Sequence, residues 1–184
     1  VSKRNVTLLI ICEDSQHEAF IRRFLNGMGW DKRELRVNKS PNARGAAEQW
    51  VRCLFVKELT TLRKRHVRSG LLTMIDADGR TVDERLKQLE KACCEAEIEF
   101  IRKDEAVALV VPRRNIETWI RYLEGEHVDE DTQYTKLKKA RQCANAVSIL
   151  IDRCSGEFRD ADAPPSLNVA CTQYHTRIHS LKRT

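Results

Sequence analysis

Long apolar runs are missing from this chain. Its continuous hydrophobic stretches, such as Leu8 to Cys12 and Ala106 to Val111, are of strand length, whereas a membrane-spanning helix needs about 20 apolar residues. The opening Ser2-Lys3-Arg4-Asn5 and the short run after it also lack the h-region of a signal peptide, so a cytoplasmic protein is expected. No Gly-x-Gly-x-x-Gly and no Gly-x-x-x-x-Gly-Lys-Ser/Thr occurs, which leaves a dinucleotide fingerprint and a Walker ATPase unsupported. Seven cysteines contain no Cys-x-x-Cys pair, so neither a zinc ribbon nor a disulfide framework is expected, and the thiols read as reduced and mostly buried. His175 and His179 stand four apart, but no Glu completes a zincin motif. Ser15 has no readable base partner, and Tyr122, Tyr134 and Tyr174 lack the context of a covalent DNA nucleophile. There is no internal repeat and no low-complexity tract.

What is present is charge. Charged residues make up 33% of the 184 positions, and Lys plus Arg exceed Asp plus Glu by 33 to 27. The resulting net charge of +6 and isoelectric point near 9.0 favour a polyanionic partner, because cationic surface gains affinity by releasing counterions from phosphates. The length suits one domain with a small appended part.

From residue 6 to about 124, short apolar runs alternate with amphipathic segments, the pattern of βα units around a parallel sheet. Val6 to Cys12, Glu34 to Lys39, Leu71 to Ile75 and Ala106 to Val111 read as strands. Helices are expected after Ser15-Gln16-His17-Glu18 and after Thr81-Val82-Asp83-Glu84, both read as capping boxes. Further helices are expected from Ala43 to Val67 and from Ile116, capped by Asn115. Beyond Gly125 the strands stop: Tyr134 to Cys154 and Leu167 to Lys182 read as helices, with a polar loop between. The expected organisation is an α/β core over residues 1–126, a mostly parallel sheet of about four strands flanked by helices, and a C-terminal helical extension over 127–184.

Two acidic motifs close apolar strands. Val6 to Cys12 runs into Glu13, and Leu71 to Ile75 runs into Asp76-Ala77-Asp78-Gly79. The carboxyl edge of a parallel sheet is where α/β proteins bind ligands, and carboxylates there suit a divalent metal acting on phosphate. Because strand side chains alternate, Asp76 and Asp78 are expected to share a side and converge on one cation. Asp-Ala-Asp-Gly also suits a turn, and no regularly spaced ligands follow as in an EF-hand. Glu117, in the first turn after Pro112-Arg113-Arg114-Asn115, is expected near the same edge. Arg113 and Arg114 are candidate phosphate contacts. The run Arg63-Lys64-Arg65-His66-Val67-Arg68 is either a nucleic-acid patch or a solvated helix end whose cations complement the dipole.

Taken together, Ile10 to Phe20 around Glu13 and Met74 to Gly79 around Asp76 and Asp78 resemble the motifs of the TOPRIM family, which covers topoisomerases, primases and OLD-type nucleases. Pro112 to Ile120 is similar to a Pro-x-x-x-(aliphatic)-Glu-x-Trp stretch in small TOPRIM-like bacterial proteins, some found beside ATPases in phage-defence operons. The resemblance implies a TOPRIM-like fold and a metal-dependent nuclease, with Glu13 as acid/base or ligand and Asp76 and Asp78 holding Mg²⁺ or Mn²⁺. Glu117 is a further candidate ligand, and an ATPase a candidate partner. Two positions depart from the pattern: Asp14 replaces a common Gly, and His17 stands where some OLD-like members place an extra acid. Either Glu18 substitutes, or the site binds one metal rather than two. The alternatives are a non-catalytic nucleic-acid- or protein-binding module of the same fold, or another phosphoryl-transfer or receiver-like domain. A receiver would want paired acids after its first strand and a Lys after a late one, where Arg113 and Arg114 stand.

Overall fold

The computed structural model describes residues 6–41, 46–154 and 160–182. Four strands, β1 (Thr7–Cys12), β2 (Leu35–Lys39), β3 (Ser69–Met74) and β4 (Val107–Val110), form one sheet in the order β2-β1-β3-β4. Every neighbouring pair is parallel. Parallel strands need crossovers, and the helices α1 (Ser15–Gly27), α2 (Ala47–Lys64) and α3 (Val82–Glu95) supply them. Three more helices follow among the described residues: α4 (Ile116–Leu123), α5 (Ala144–Cys154) and α6 (Pro165–Gln173). This is a doubly wound, Rossmann-like α/β arrangement.

Sequence alternation decides which layer covers which face. Leu8, Ile10 and Cys12 of β1 and Leu72 and Met74 of β3 join α1, α4, α5 and α6 in one core, which includes Phe20, Phe24, Trp119 and Tyr174. Leu9, Ile11 and Leu71 point the other way, onto Val51, Phe55 and Leu59 of α2 and Leu89 and Cys93 of α3. Both faces are therefore buried, which is why these strands read as unbroken apolar runs. The C-terminal helices complete the first layer: Ala146, Val147 and Leu150 of α5 and Leu167 and Ala170 of α6 share a core with the sheet. At Gly27 the approach of α5 is so close that an added Cβ would stand 2.1 Å from Ile151 Cδ1.

The order β2-β1-β3-β4 has a functional consequence. From β1 the chain crosses to β2 on one side, and the return connection places β3 on the other. The crevice at the carboxyl ends of β1 and β3 is thus the topological switch point, where open α/β sheets bind ligands.

Several local expectations are corrected. Asp14, not Ser15, caps α1: its carboxylate accepts the amides of Gln16 and His17 at 2.9 and 3.0 Å. Glu18 turns away to Arg22 and Lys39, at 3.0 and 3.3 Å. The Thr81–Glu84 box forms as expected. Asn115 occupies the cap position of α4 without a capping bond, its amide donating instead to the Tyr134 carbonyl at 2.8 Å. The helix expected from Tyr134 begins only at α5, preceded by a 3₁₀ turn at Ala140–Cys143. The last helix loosens into a π turn at Tyr174–Ile178 and a 3₁₀ turn at His179–Leu181. Positions 43–45 of the expected second helix, and 155–159 of the expected loop, lie outside the described residues.

A candidate acidic cleft at the carboxyl edge of the sheet

β1 delivers Glu13 to the switch point, and β3 delivers Asp76 beside it. Glu13 Oε1 accepts the Asp76 amide at 2.7 Å, joining the two motifs across 63 residues of sequence. Both line a cleft of about 740 Å³ with Asp14, Asp78, Asn115 and Lys136. A second lobe of about 410 Å³, on the α2–α3 side, lies among Glu13, Asp78, Glu48, Arg80 and Arg85. The three expected acids therefore meet at one rim.

The alternation argument for Asp76 and Asp78 does not hold. Strand β3 stops at Met74, and although the Ile75 and Ala77 amides still bond to β4-side carbonyls at 3.1 and 2.8 Å, the chain then reverses. Asp78 has φ 53°, and the Arg80 amide closes a turn on the Ala77 carbonyl at 3.0 Å. Asp tolerates that left-handed conformation. Asp76 ends up buried at 6% exposure, while Asp78 stands at the rim with Oδ2 3.9 Å from Arg85 Nη2.

His17, on the first turn of α1, is 1% exposed, and its Nε2 lies 3.0 Å from Asp76 Oδ1. Burial opposes charge on the imidazole, but Asp76, Asp14 and Glu13 outweigh it and lift its pKa to about 9. Burial pushes Glu13 up to about 7, against the attraction of His17. Burial also raises Asp78 and Glu117, with the charge of Asp76 adding to each. For Asp14, burial is overcome by His17 and by Lys136, whose Nζ sits 2.7 Å from Oδ2, and the carboxyl falls to about 2.

Glu117 enters from the first turn of α4, 1% exposed, and no other residue bonds either of its carboxylate oxygens. A buried carboxylate that no neighbouring residue bonds is costly. It feels the charges of Asp76, Lys136 and His17, so the sequence expectation that it approaches this edge is met. Beneath the turn, Arg85 is a buried cation at 3% exposure that donates to the carbonyl of Asp76 at 2.9 Å and pairs with Glu48.

A segment between α4 and α5 straps this edge. Arg114 donates to the carbonyls of Asp131 and Asp78 at 2.9 and 3.1 Å. Arg113 reaches the Arg80 carbonyl and, at 3.0 Å, the Asp131 carboxylate. Gln16 Nε2 donates to the Leu137 carbonyl at 2.9 Å. Arg113 and Arg114 thus hold the strap beside the cleft and are not among the residues that line it. The run from Arg63 to Arg68 is not at the site. It precedes β3 and lies at the opposite end of the sheet, about 20 Å away for a six-residue strand. There Arg63 grips Glu105 at 2.6 and 3.0 Å and the Glu99 and Phe100 carbonyls at 2.7 and 2.8 Å. Arg65 pairs with Glu58 at 3.5 Å, Arg68 donates to the Ser180 carbonyl at 3.1 Å, and Lys64 closes α2.

Sequence reading missed Arg85 and Lys136 as members of the site and treated His17 only as a departure. Lys136 carried no local signal, because its segment has helix-like spacing and its partner Asp14 lies 122 positions away. The donor set suits a hard divalent cation, since Glu13, Asp76, Asp78 and Glu117 offer carboxylate oxygens. Among the described residues, however, no three His, Cys, Asp or Glu side chains stand in an arrangement that holds an ion. His17 occupies Asp76, and the turn carries Asp78 outward. No helix among the described residues is long and apolar enough to cross a membrane. No family model, curated protein or solved structure matches the chain.

Proposed function

We propose that this protein is a metal-dependent hydrolase of phosphodiester bonds in nucleic acid, related in design to TOPRIM nucleases. The observation that carries the reading is the meeting of Glu13 and Asp76, through the 2.7 Å bond, at the switch point of the sheet, with Asp78 lining the same cleft. Mg²⁺ or Mn²⁺, held by Asp76, Asp78 and Glu13 with Glu117 behind them, would supply Lewis-acid stabilisation of charge on the scissile phosphate. One feature supports this fit: the buried oxygens of Glu117, which no other residue bonds.

The chain's own groups then have distinct roles. Glu13, the carboxylate that closes β1 beside Asp76, would take the proton of the attacking water. In the metal-free protein His17 holds the Asp76 carboxylate as its counter-ion. Arg80 and Lys136 present cations in the two lobes of the cleft, where a phosphate backbone would lie. The strap held by Arg113 and Arg114 shapes one wall. The net charge of +6 favours the same class of substrate. The C-terminal layer offers a surface for a partner such as an ATPase within a phage-defence assembly, and a cytoplasmic setting suits both.

Incubation with plasmid, single-stranded DNA and transfer RNA, with and without Mg²⁺ or Mn²⁺, tests the reading. Cleavage should require the metal and fall at least 100-fold in Asp76→Asn with unchanged folding. Cleavage that is equal in the variant removes Asp76 from the mechanism. The second reading, a non-catalytic nucleic-acid-binding module, is favoured by one observation: His17 and Lys136 already neutralise Asp76 and Asp14 at 3.0 and 2.7 Å. Binding without cleavage by the wild type under every metal would establish it.

A further inference from the structure

Cys154 closes α5, and Cys171 lies in α6, 17 positions later. Their Sγ atoms are 3.0 Å apart, inside a core where the residues are 0% and 5% exposed. Ordinary non-bonded contacts between heavy atoms run about 3.5–4.0 Å, and a disulfide bond measures about 2.05 Å. The sulfurs therefore lack only about 1 Å of bonding distance.

Packing sets this approach. α5 is pressed onto α1, with Ile151 against Gly27. α6 is tied in by Ser166, whose Oγ accepts Trp119 Nε1 at 2.8 Å and whose amide donates to Glu130 at 3.0 Å. The other five cysteines, including the exposed Cys53 and Cys94, form no such pair among the described residues.

We propose that Cys154 and Cys171 are a dithiol that oxidises to an intrachain disulfide, a covalent modification site whose co-reactant is a small-molecule disulfide such as glutathione disulfide. One cysteine thiolate attacks a sulfur of the co-reactant, forms a mixed disulfide and releases one glutathione thiolate. The second cysteine attacks the protein sulfur of that intermediate, closes the Cys154–Cys171 bond and releases the other. The two protons lost by the protein thiols go to the two released thiolates, so the protein is oxidised by two electrons and the glutathione disulfide is reduced by two. The bond Cys154 shares with Cys171, together with burial, holds the Cys171 thiol far above the ordinary range. Exchange therefore proceeds through opening of the C-terminal layer rather than in the closed protein. Once formed, the bond clasps α5 to α6 and stabilises the layer behind α1, independently of what the acidic cleft does.

The full chain, unfolded in urea and refolded in glutathione buffer, tests this directly. Alkylation followed by non-reducing peptide mapping should recover Cys154 linked to Cys171, with the remaining five cysteines alkylated. The melting midpoint should rise by roughly 5–10 °C over the reduced protein, as a closed loop of this length implies, and return on addition of dithiothreitol. Cys171→Ser should abolish both effects. Should that variant fail to fold, the peptide map of the wild type decides alone. Recovery of Cys154 and Cys171 as alkylated thiols, or linked to other cysteines, overturns the proposal.

Discussion

Nε2 of His17 lies 3.0 Å from Oδ1 of Asp76, and the pair is buried at the point where β1 and β3 part company. The contact makes an imidazolium the internal counter-ion of a carboxylate that the sequence pattern assigns to a metal. Its consequences are separable by pH, by charge and by substitution.

The metal-free protein should lose stability as pH rises. His17 moves from 6.5 in the unfolded chain to about 9 in the fold, so its stabilisation is complete below 6.5 and lost as pH climbs through 9. Glu13 moves from 4.5 to about 7, so its contribution is complete below 4.5 and lost through 7. The two act in the same direction. Urea denaturation between pH 5 and 9 should show a decline on the order of 5 kcal/mol, roughly half of it from each group, with a shallower slope in His17→Asn. A flat profile contradicts the pairing. Asp14 works the other way: lowered from 3.8 to about 2, it stabilises above 3.8, and that share is lost only as pH falls through 2.

Glu117→Gln should stabilise the metal-free protein by about 1 kcal/mol, because it removes a buried charge that no other residue bonds. The same change should weaken the rise in melting temperature produced by Mn²⁺. If Glu117 were merely structural, stability would drop and the Mn²⁺ response would stay.

Arg63→Ala should cost about 2 kcal/mol, as expected for a guanidinium bonded to Glu105 and two carbonyls. Nucleic-acid affinity and its salt slope should be unchanged, since the residue lies at the far end of the sheet. Weaker binding at undiminished stability would restore the basic run as a contact surface.

These cases mark what was legible in the residues alone. β1, β3 and β4 were readable because burial on both faces leaves unbroken apolar runs, as in Ala106 to Val111, whereas the half-exposed edge strand β2 gave only a weak signal; Glu13 and Asp76 were readable because each directly follows such a run. The conformation of Asp78 was not, because alternation applies only within a strand and this one ends at Met74. Lys136, Arg85 and the cysteine pair were not readable either: their partners are fixed by tertiary packing, across 122 positions for Lys136, 37 for the Arg85–Glu48 pair and 17 for the thiols. The basic run stayed open in the sequence because a cationic helix end looks alike whether it meets phosphate or, as Arg63 does, a neighbouring Glu.

The most direct test is a crystal soaked in Mn²⁺ and measured at the manganese edge. An anomalous peak shared by Asp76, Asp78 and Glu13, with His17 displaced from Asp76 Oδ1, is the predicted result. A cleft without such a peak, with His17 still against Asp76, would contradict the metal-dependent account and leave an internally neutralised acidic site.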